Sequence, residues 1–507
     1  MDEAVSALTK AVLRDIQKKG LDKVDLWYLV GLVSSMVKVL FSRVMERVLE
    51  TLDQQIFGTR DVTRYRVKRE IYRSIQTLSG SFVYCRRYYK DRETGKRIFL
   101  LDEALGVQKR SRLGPDLGEL CAGLGAFGLS YRKVADVLEL VFGERVMSHE
   151  EIREHTLKVG RQIKAIDVAA DDNEEPPEGH RECKTLFIEA DGFWLSRQGK
   201  KGSKRKRRGS KNPLSNKFEV YMVVTHEGWR KRYQKGKGES QRLIRPRFHV
   251  AVSEDEKKQV WEKVRGQLYR TYKRLDDMRI VINGDAASWI RQGTGHFRNA
   301  IYQCDRFHVS RDLRAALRRY PQLWEKAKAA LDRDEINELC PLLAQCLEEL
   351  PSSEEKRRKQ IVDLMARIER DKEYIIDYRK RIEISADESE ELRGLGAAEP
   401  SVKRFKNRMK SVGKSWSEGG ADAIAQVLAR YFSSEYSVYL DIIARAQKRP
   451  GAEAERHSRP DRPTVSAAEI GGKIKGVKAA VGAIRGSIAA LRPGYSGMAR
   501  MFRKLTA

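Results

Sequence analysis

Cysteine is scarce and scattered: Cys85, Cys121, Cys183, Cys304, Cys340 and Cys346 form no CxxC pair. Neither a zinc ribbon nor a disulfide framework is signalled, and a reducing cytoplasm fits. Long apolar runs are missing too. The longest, Leu26 to Val37, meets Lys38 well short of the roughly 20 residues of a membrane span, and the acidic start Met1-Asp2-Glu3 has no targeting character. The third deficit is acid, with 71 Asp and Glu against 100 Lys and Arg, a formal charge of +29 and a pI near 9.8. That imbalance favours a polyanionic partner, nucleic acid before membrane. Wholesale disorder is excluded in turn, because 41% of the residues are hydrophobic, and 507 residues exceed what one core holds.

Residues 1–68 carry apolar positions at helical spacing (Val37, Leu40, Val44, Val48, Leu52), predicting one or two amphipathic helices. Within 69–112, "SGSFVYCRRYYKD" and "KRIFLLDEAL" flank "RETG", which predicts a β-hairpin. Its Tyr84, Tyr88 and Tyr89 interleave with Arg86, Arg87 and Lys90, a composition suited to phosphates or simply to a basic solvated sheet. In 113–170, "SYRKVADVLELVF" and "SHEEIREHTLKVGRQI" predict either a helix-turn-helix-like DNA-binding region or, given the acidic first turn His149-Glu150-Glu151, simple helical packing, the second helix opened by a Ser148/Glu151 capping box. The linker "DDNEEPPEGH" follows. Strands are then expected in "CKTLFIEADGFWLSRQ", "KFEVYMVVTHEGW" and "IRPRFHVAVS", a helix over "EDEKKQVWEKVRGQLYRTYKRLDD", and strands again in "RIVING" and "NAIYQCD". That order is α/β (mixed), a ribonuclease-H-like core over 181–320. A helical insertion is expected over 321–395, closing helices with a third carboxylate over 396–448, and a linker and basic tail over 449–507.

Two of these apolar strands end on an acid followed closely by a tryptophan, Asp191 in "IEADGFW" and Asp285 in "INGDAASWI". A lone Gly-Asp at a strand end is usually a turn. Here the first and fourth strands would be parallel neighbours, so Asp191 and Asp285 would face each other across about 4.8 Å. Carboxylates that close repel unless a cation lies between them, and hard oxygen ligands suit Mg²⁺ or Mn²⁺. A two-metal site for phosphoryl displacement generally needs a third acid. Two candidates stand after the insertion, Glu399 in "AAEPSVKRFKNRM" and Glu418 in "WSEGGADAIAQV". Glu399 would open a helix buried through Val402, Phe405 and Met409. Trp194 and Trp289 are candidates for base stacking or for the core.

The segments "IEADGFW", "INGDAASWI", "CDRFHVSRDL" and "AAEPSVKRFKNRMKSVGKSWSEGGADAI", in this order from about Arg69 to Arg430, resemble the motifs of bacterial insertion-sequence transposases of the ISLre type, relatives of the Mutator-like DDE transposases. The resemblance implies a Mg²⁺- or Mn²⁺-dependent enzyme in the bacterial cytoplasm, associated with the nucleoid. It would cut double-stranded DNA at element ends and join the freed 3′ hydroxyls to target DNA, as a homo-oligomer when bound to DNA. It also implies the triad Asp191, Asp285 and Glu399, with Asp305 and His308 as accessory residues. This chain departs from the related pattern after the third acid: Pro400-Ser401 stand where a Gly-His pair and a second His are expected.

The segment from Gly199 to Lys211, "GKKGSKRKRRGSK", has nothing acidic or apolar. Its Lys200, Lys201, Lys204, Arg205, Lys206, Arg207, Arg208 and Lys211 are expected to bind DNA phosphates in a salt-sensitive way. Two alternatives to the transposase are a non-catalytic DNA-binding protein, from a degenerate or domesticated element, and a ribonuclease-H-like nuclease or recombinase without strand transfer.

Overall fold

The computed structural model describes residues 2–107, 109, 112–172, 176–198, 217–234, 238–384, 392–410 and 414–447. The basic segment Gly199 to Lys211 and the tail 449–507 therefore lie outside the described residues. The chain divides into two units, Met1–Val48 with Tyr72–Tyr84 and Arg112–Ala444, and Leu49–Ile71 with Cys85–Ser111 and the stretch from Arg445.

Helices α1 (Asp2–Lys19) and α2 (Leu26–Thr59) come first. At 34 residues α2 runs through Lys38, and among the described residues it is the one helix long and apolar enough to cross a membrane by length and composition. Counting only the uninterrupted run Leu26–Val37 missed this, because one lysine does not stop a helix. The hairpin also differs from expectation. Strands β1 (Tyr65–Thr77) and β2 (Gly80–Asp91) turn at Leu78-Ser79, whereas β3, which follows "RETG", is only Arg97–Ile98 before α3 (Leu100–Leu105) takes over. The interleaved cations look inward: Arg87 pairs with Asp53 at 2.8 Å, Arg86 pairs with Asp102 and lies over the Phe99 ring, and Tyr84 and Tyr89 are buried.

Next come α4 (Pro115–Ala126), α5 (Tyr131–Phe142) and α6 (His149–Asp171). Ser130 caps α5, and Ser148 with Glu151 forms the expected capping box on α6. Helix α6 is 23 residues long. Its inner side (Ile152, Leu157, Val159, Ile163) is buried.

The central sheet contains β4 (Thr185–Ser196), β5 (Lys217–His226), β8 (Arg247–Ala251), β9 (Arg279–Gly284) and β10 (Ala300–Cys304), in the order β10-β9-β4-β5-β8. Strands β9 and β10 run parallel to β4, while β5 is antiparallel to both β4 and β8. Between β5 and β8 a two-stranded ribbon, β6 (Trp229–Gln234) with β7 (Gly238–Leu243), intervenes. One face of the sheet, Leu186, Ile188, Ala190, Ile280 and Ile282, packs on α7 (Glu254–Tyr269) and α9 (Arg306–Leu317). The same core takes in α8 (Ser288–Arg291), α10 (Pro321–Arg333), α11 (Leu339–Glu349) and α12 (Glu355–Ile375). Gln303 on β10 donates to the Tyr374 carbonyl at 2.9 Å, so this helical block is fastened to the sheet edge. The other face, Phe193, Leu195, Phe218, Val220, Met222 and Val224, packs on α6, α13 (Ala398–Met409) and α14 (Glu418–Phe432), with Leu440 and Ile443 of α15 (Tyr436–Gln447).

Candidate metal centre

Four chain segments meet at one edge of this sheet. Strand β4 passes through it, β9 stops at Gly284, β10 stops at Cys304, and α13 begins beside them. In register, Ala190 pairs with Gly284 and Cys304 with Gly284, so Asp191, Asp285 and Asp305 each occupy the next position along their strands. The approach is tight at Gly284, where a Cβ would meet Ile290 at 2.7 Å and the Ala190 carbonyl at 2.9 Å. The backbone after it is fixed by Tyr302, whose hydroxyl donates to the Gly284 and Asp285 carbonyls at 3.0 and 2.5 Å.

Asp191, His308 and Glu399 each present a ligand atom within 4.8 Å of the others. Asp191 is 6% exposed, and its Oδ1 accepts from the Gly192 N–H at 2.7 Å. Burial pushes its carboxyl up to about 6. The Gly192 N–H and Lys406 oppose that rise, and the Asp285 and Glu399 carboxylates add to it. Glu399 stands in the first turn of α13, half-buried, with the Lys406 ammonium 3.7 Å away. The inner side of α13 is Val402, Phe405 and Met409, all fully buried, so helical spacing holds Glu399 over the sheet edge. His308 is half-buried in the first turn of α9, with Nε2 3.8 Å from Asp305 Oδ2. Asp305 is the N-cap of α9, accepting from the Phe307 N–H at 2.9 Å. Its carboxyl is raised to about 6 by burial, against the Phe307 N–H and His308, with Glu189 and Asp191 adding to the rise.

The structure thus brings Asp191 and Glu399 together with His308. Asp285 is near enough to act on the Asp191 carboxyl, but its Oδ1 accepts from the Ala287 N–H at 3.1 Å, the turn-residue arrangement. Glu418 sits elsewhere, paired with Arg197 at 2.6 Å in the first turn of α14. Trp289 is core, its carbonyl accepting from Trp261 Nε1 at 2.6 Å, while Trp194 is partly exposed. Two carboxylates and an imidazole suit a divalent cation, and placing one there would relieve the burial and repulsion that hold the Asp191 proton on.

Three groups escaped notice in the sequence. Lys406 lies against Glu399. Glu219 on β5 has its carboxyl raised by burial, with Asp285 adding. Glu189, two residues before Asp191 on the same face of β4, is fully buried. Its Oε2 accepts from Asn283 Nδ2 at 2.9 Å and from the backbone N–H groups of Gly396, Ala397 and Ala398 at 3.0, 2.7 and 3.3 Å. Its Oε1 lies 3.2 Å from His226 Nε2. An acid inside an apolar strand is itself a signal, because a buried carboxylate must find donors.

A family model described as "Uncharacterised protein family (UPF0236)" matches residues 21–437. Among curated relatives, the UPF0236 protein in vanSb 3′region of Streptococcus gallolyticus is 25% identical over 415 residues, 80% of this chain and 82% of that protein. A UPF0236 protein of Caldanaerobacter subterraneus subsp. tengcongensis is 23% identical over 426 residues, covering 83% and 80%. Among solved structures, the Drosophila P element transposase strand transfer complex matches at 9% identity and a TM-score of 0.21, over 70% of this chain and 90% of that one. A score that low carries no inference about fold.

Proposed function

We propose, from the premise that this chain belongs to the uncharacterised protein family UPF0236, that it is a divalent-cation-dependent DDE transposase on a ribonuclease-H-like core, cutting DNA strands and joining the freed ends to new sites. The meeting of Asp191, Glu399 and His308 at one sheet edge carries the proposal. The strand order, in which β5 alone runs antiparallel to the other four strands, supports it. So does the charge of +29. The name of the Caldanaerobacter relative joins eleven locus designations of one organism, as a repeated element's product would.

In this proposal Asp191 and Glu399 hold Mg²⁺ or Mn²⁺, with His308 and Asp285 completing or flanking the set. When bound, the cation supplies activation of the attacking oxygen and charge stabilisation at the phosphorus. The chain's own groups do the rest. Lys406 keeps the two carboxylates from repelling until a cation takes them over. Asp305 orients the His308 ring, and Tyr302 holds the Gly284-Asp285 backbone in place. The basic segment Lys200 to Lys211 holds the phosphates. Water adds to a phosphorus and the bond to the 3′ oxygen breaks, leaving a 3′ hydroxyl and a 5′ phosphate. That hydroxyl then attacks a target phosphodiester, displacing its 3′ oxygen, so one ester bond forms for each one broken.

The Lys406–Glu399 pair also favours a second reading, a DNA-binding protein that does not cut. One assay separates them: purified protein, Mg²⁺ or Mn²⁺, and linear DNA carrying the sequences that flank this reading frame. Nicked and joined products that vanish in both Asp191→Asn and Glu399→Gln establish the transposase. Cleavage without joining makes it a nuclease, and binding without cleavage the second reading. Full activity in either variant removes that residue from the site.

A further inference from the structure

We infer that Glu189 is a positioning residue of this centre: its buried carboxylate seats the first turn of α13 and so sets where Glu399 meets Asp191 and His308. The inference rests on the strand-cutting proposal for its consequence, though not for its geometry. Helix α13 begins without a cap of its own. Its N-cap is Ala397, which has no side-chain acceptor, and Pro400 offers no N–H. The N–H groups of Gly396, Ala397 and Ala398 would be orphaned in a buried place, yet one oxygen from β4, more than 200 residues away in sequence, accepts from all three. A carboxylate there also faces the positive end of the helix dipole. The turn that presents these amides passes through Gly396 at φ +149, a conformation that residues with a Cβ rarely adopt.

The seat is stiff because the central strands share it. Asn283 lies directly opposite Glu189 in the β4–β9 register, and His226 ends β5; both are buried and both face the same carboxylate. From this fixed point the chain counts outward in two directions. Two residues along β4 on the same face stands Asp191, and one residue past the seated amides stands Glu399. A shift of the α13 start relative to β4 would therefore change the spacing of the two carboxylates directly. Glu189 touches no reacting atom in this arrangement and acts only through the backbone it holds.

The test is Glu189→Gln in the full chain, which keeps the shape but turns an amide NH₂ toward a set of donors. DNA affinity should stay unchanged, while the Mn²⁺ concentration for half-maximal cleavage rises about 10- to 100-fold and saturating Mn²⁺ restores most of the rate. Glu399→Gln should not be restored by Mn²⁺. The amides of residues 396–398 should lose hydrogen-exchange protection, with or without Mn²⁺. Wild-type Mn²⁺ dependence in a folded Glu189→Gln protein, or unchanged protection, overturns the inference. Should that variant not fold, Gly396→Ala strains the same turn without touching the acid. It must then raise the Mn²⁺ requirement and loosen the same amides, and failure to do so is equally fatal. If the wild-type protein cuts no DNA at any Mn²⁺ concentration, the strand-cutting proposal falls by itself, and the exchange measurement still decides whether Glu189 holds the helix.

Discussion

Glu189 and Asp191 stand two residues apart on the same face of one strand, both buried, and their surroundings are opposite. The hydrogen-bond partners of Glu189 are donors or a histidine nitrogen: Asn283, His226 and three backbone amides. Around Asp191 there are one amide, one lysine at a distance, the His308 imidazole and three further carboxylates, Asp285, Glu399 and Asp305, and the carboxyl is raised to about 6. Burial alone does not tell a structural acid from a reactive one. What separates them is whether the protein itself supplies the countercharge or leaves it to something that binds.

The comparison can be broken most violently at Asp191. Asp191→Asn should lower DNA cleavage by a hundredfold to a thousandfold or more, the equivalent of roughly several kcal/mol of transition-state stabilisation, and leave filter-binding affinity for the same DNA unchanged. Stability should respond the other way round. Glu189→Ala leaves five donor groups facing a void and should cost about 3–5 kcal/mol in urea denaturation, whereas Asp191→Ala in cation-free buffer should cost little or stabilise. Equal losses from the two substitutions would erase the distinction between these acids.

The pH dependence sharpens the contrast. Asp191 holds its proton more tightly folded than unfolded, about 6 against an ordinary 3.8. Its ionisation therefore costs stability that is absent below about pH 4 and fully developed above about pH 6. Asp191→Asn should then stabilise the cation-free protein more at pH 7.5 than at pH 4, by up to about 3 kcal/mol, as read from melting curves at the two pH values. Adding Mn²⁺ should reverse the order at pH 7.5, because only the wild type binds it. The smallest effect is expected for Lys406→Met, which removes the resident cation from the carboxylates. Mn²⁺ affinity at pH 8, measured by calorimetry, should rise about two- to fivefold, and a fall would mean that Lys406 serves the bound state instead.

Much of the central sheet was legible because its strands are bare apolar runs: "LFIEAD", "RIVING" and "NAIYQC" lie where periodicity puts them, and β4 and β9 are parallel neighbours. Elements whose burial is one-sided and polar were not. Strand β1 reads "YRVKREIYRSIQT" and the ribbon reads "WRKRYQ" and "GESQRL", charged sequences held by backbone pairing that a hydrophobic pattern does not report. Around the centre, the strand-end acids stood out because each closes an apolar run. Glu189, Asn283 and His226 carried the same anomaly one step earlier in "FIEA", "VING" and "VVTH", a polar residue enclosed by apolar neighbours. Reading the three together would have revealed the buried network. That Asp285 bonds the Ala287 amide while His308 joins the cluster depends on side-chain directions, which no spacing encodes.

The bond between Glu189 and Ala397 spans 208 positions of the chain. Contacts of such span form late, since the loop they close must be ordered first. While the polypeptide is still emerging from the ribosome, its first 390 residues already contain Asp191, Asp285 and His308 but not the helix that bears Glu399. A nascent chain of this kind lacks one of the three grouped ligands, and the cluster is complete only when its closing helices have docked.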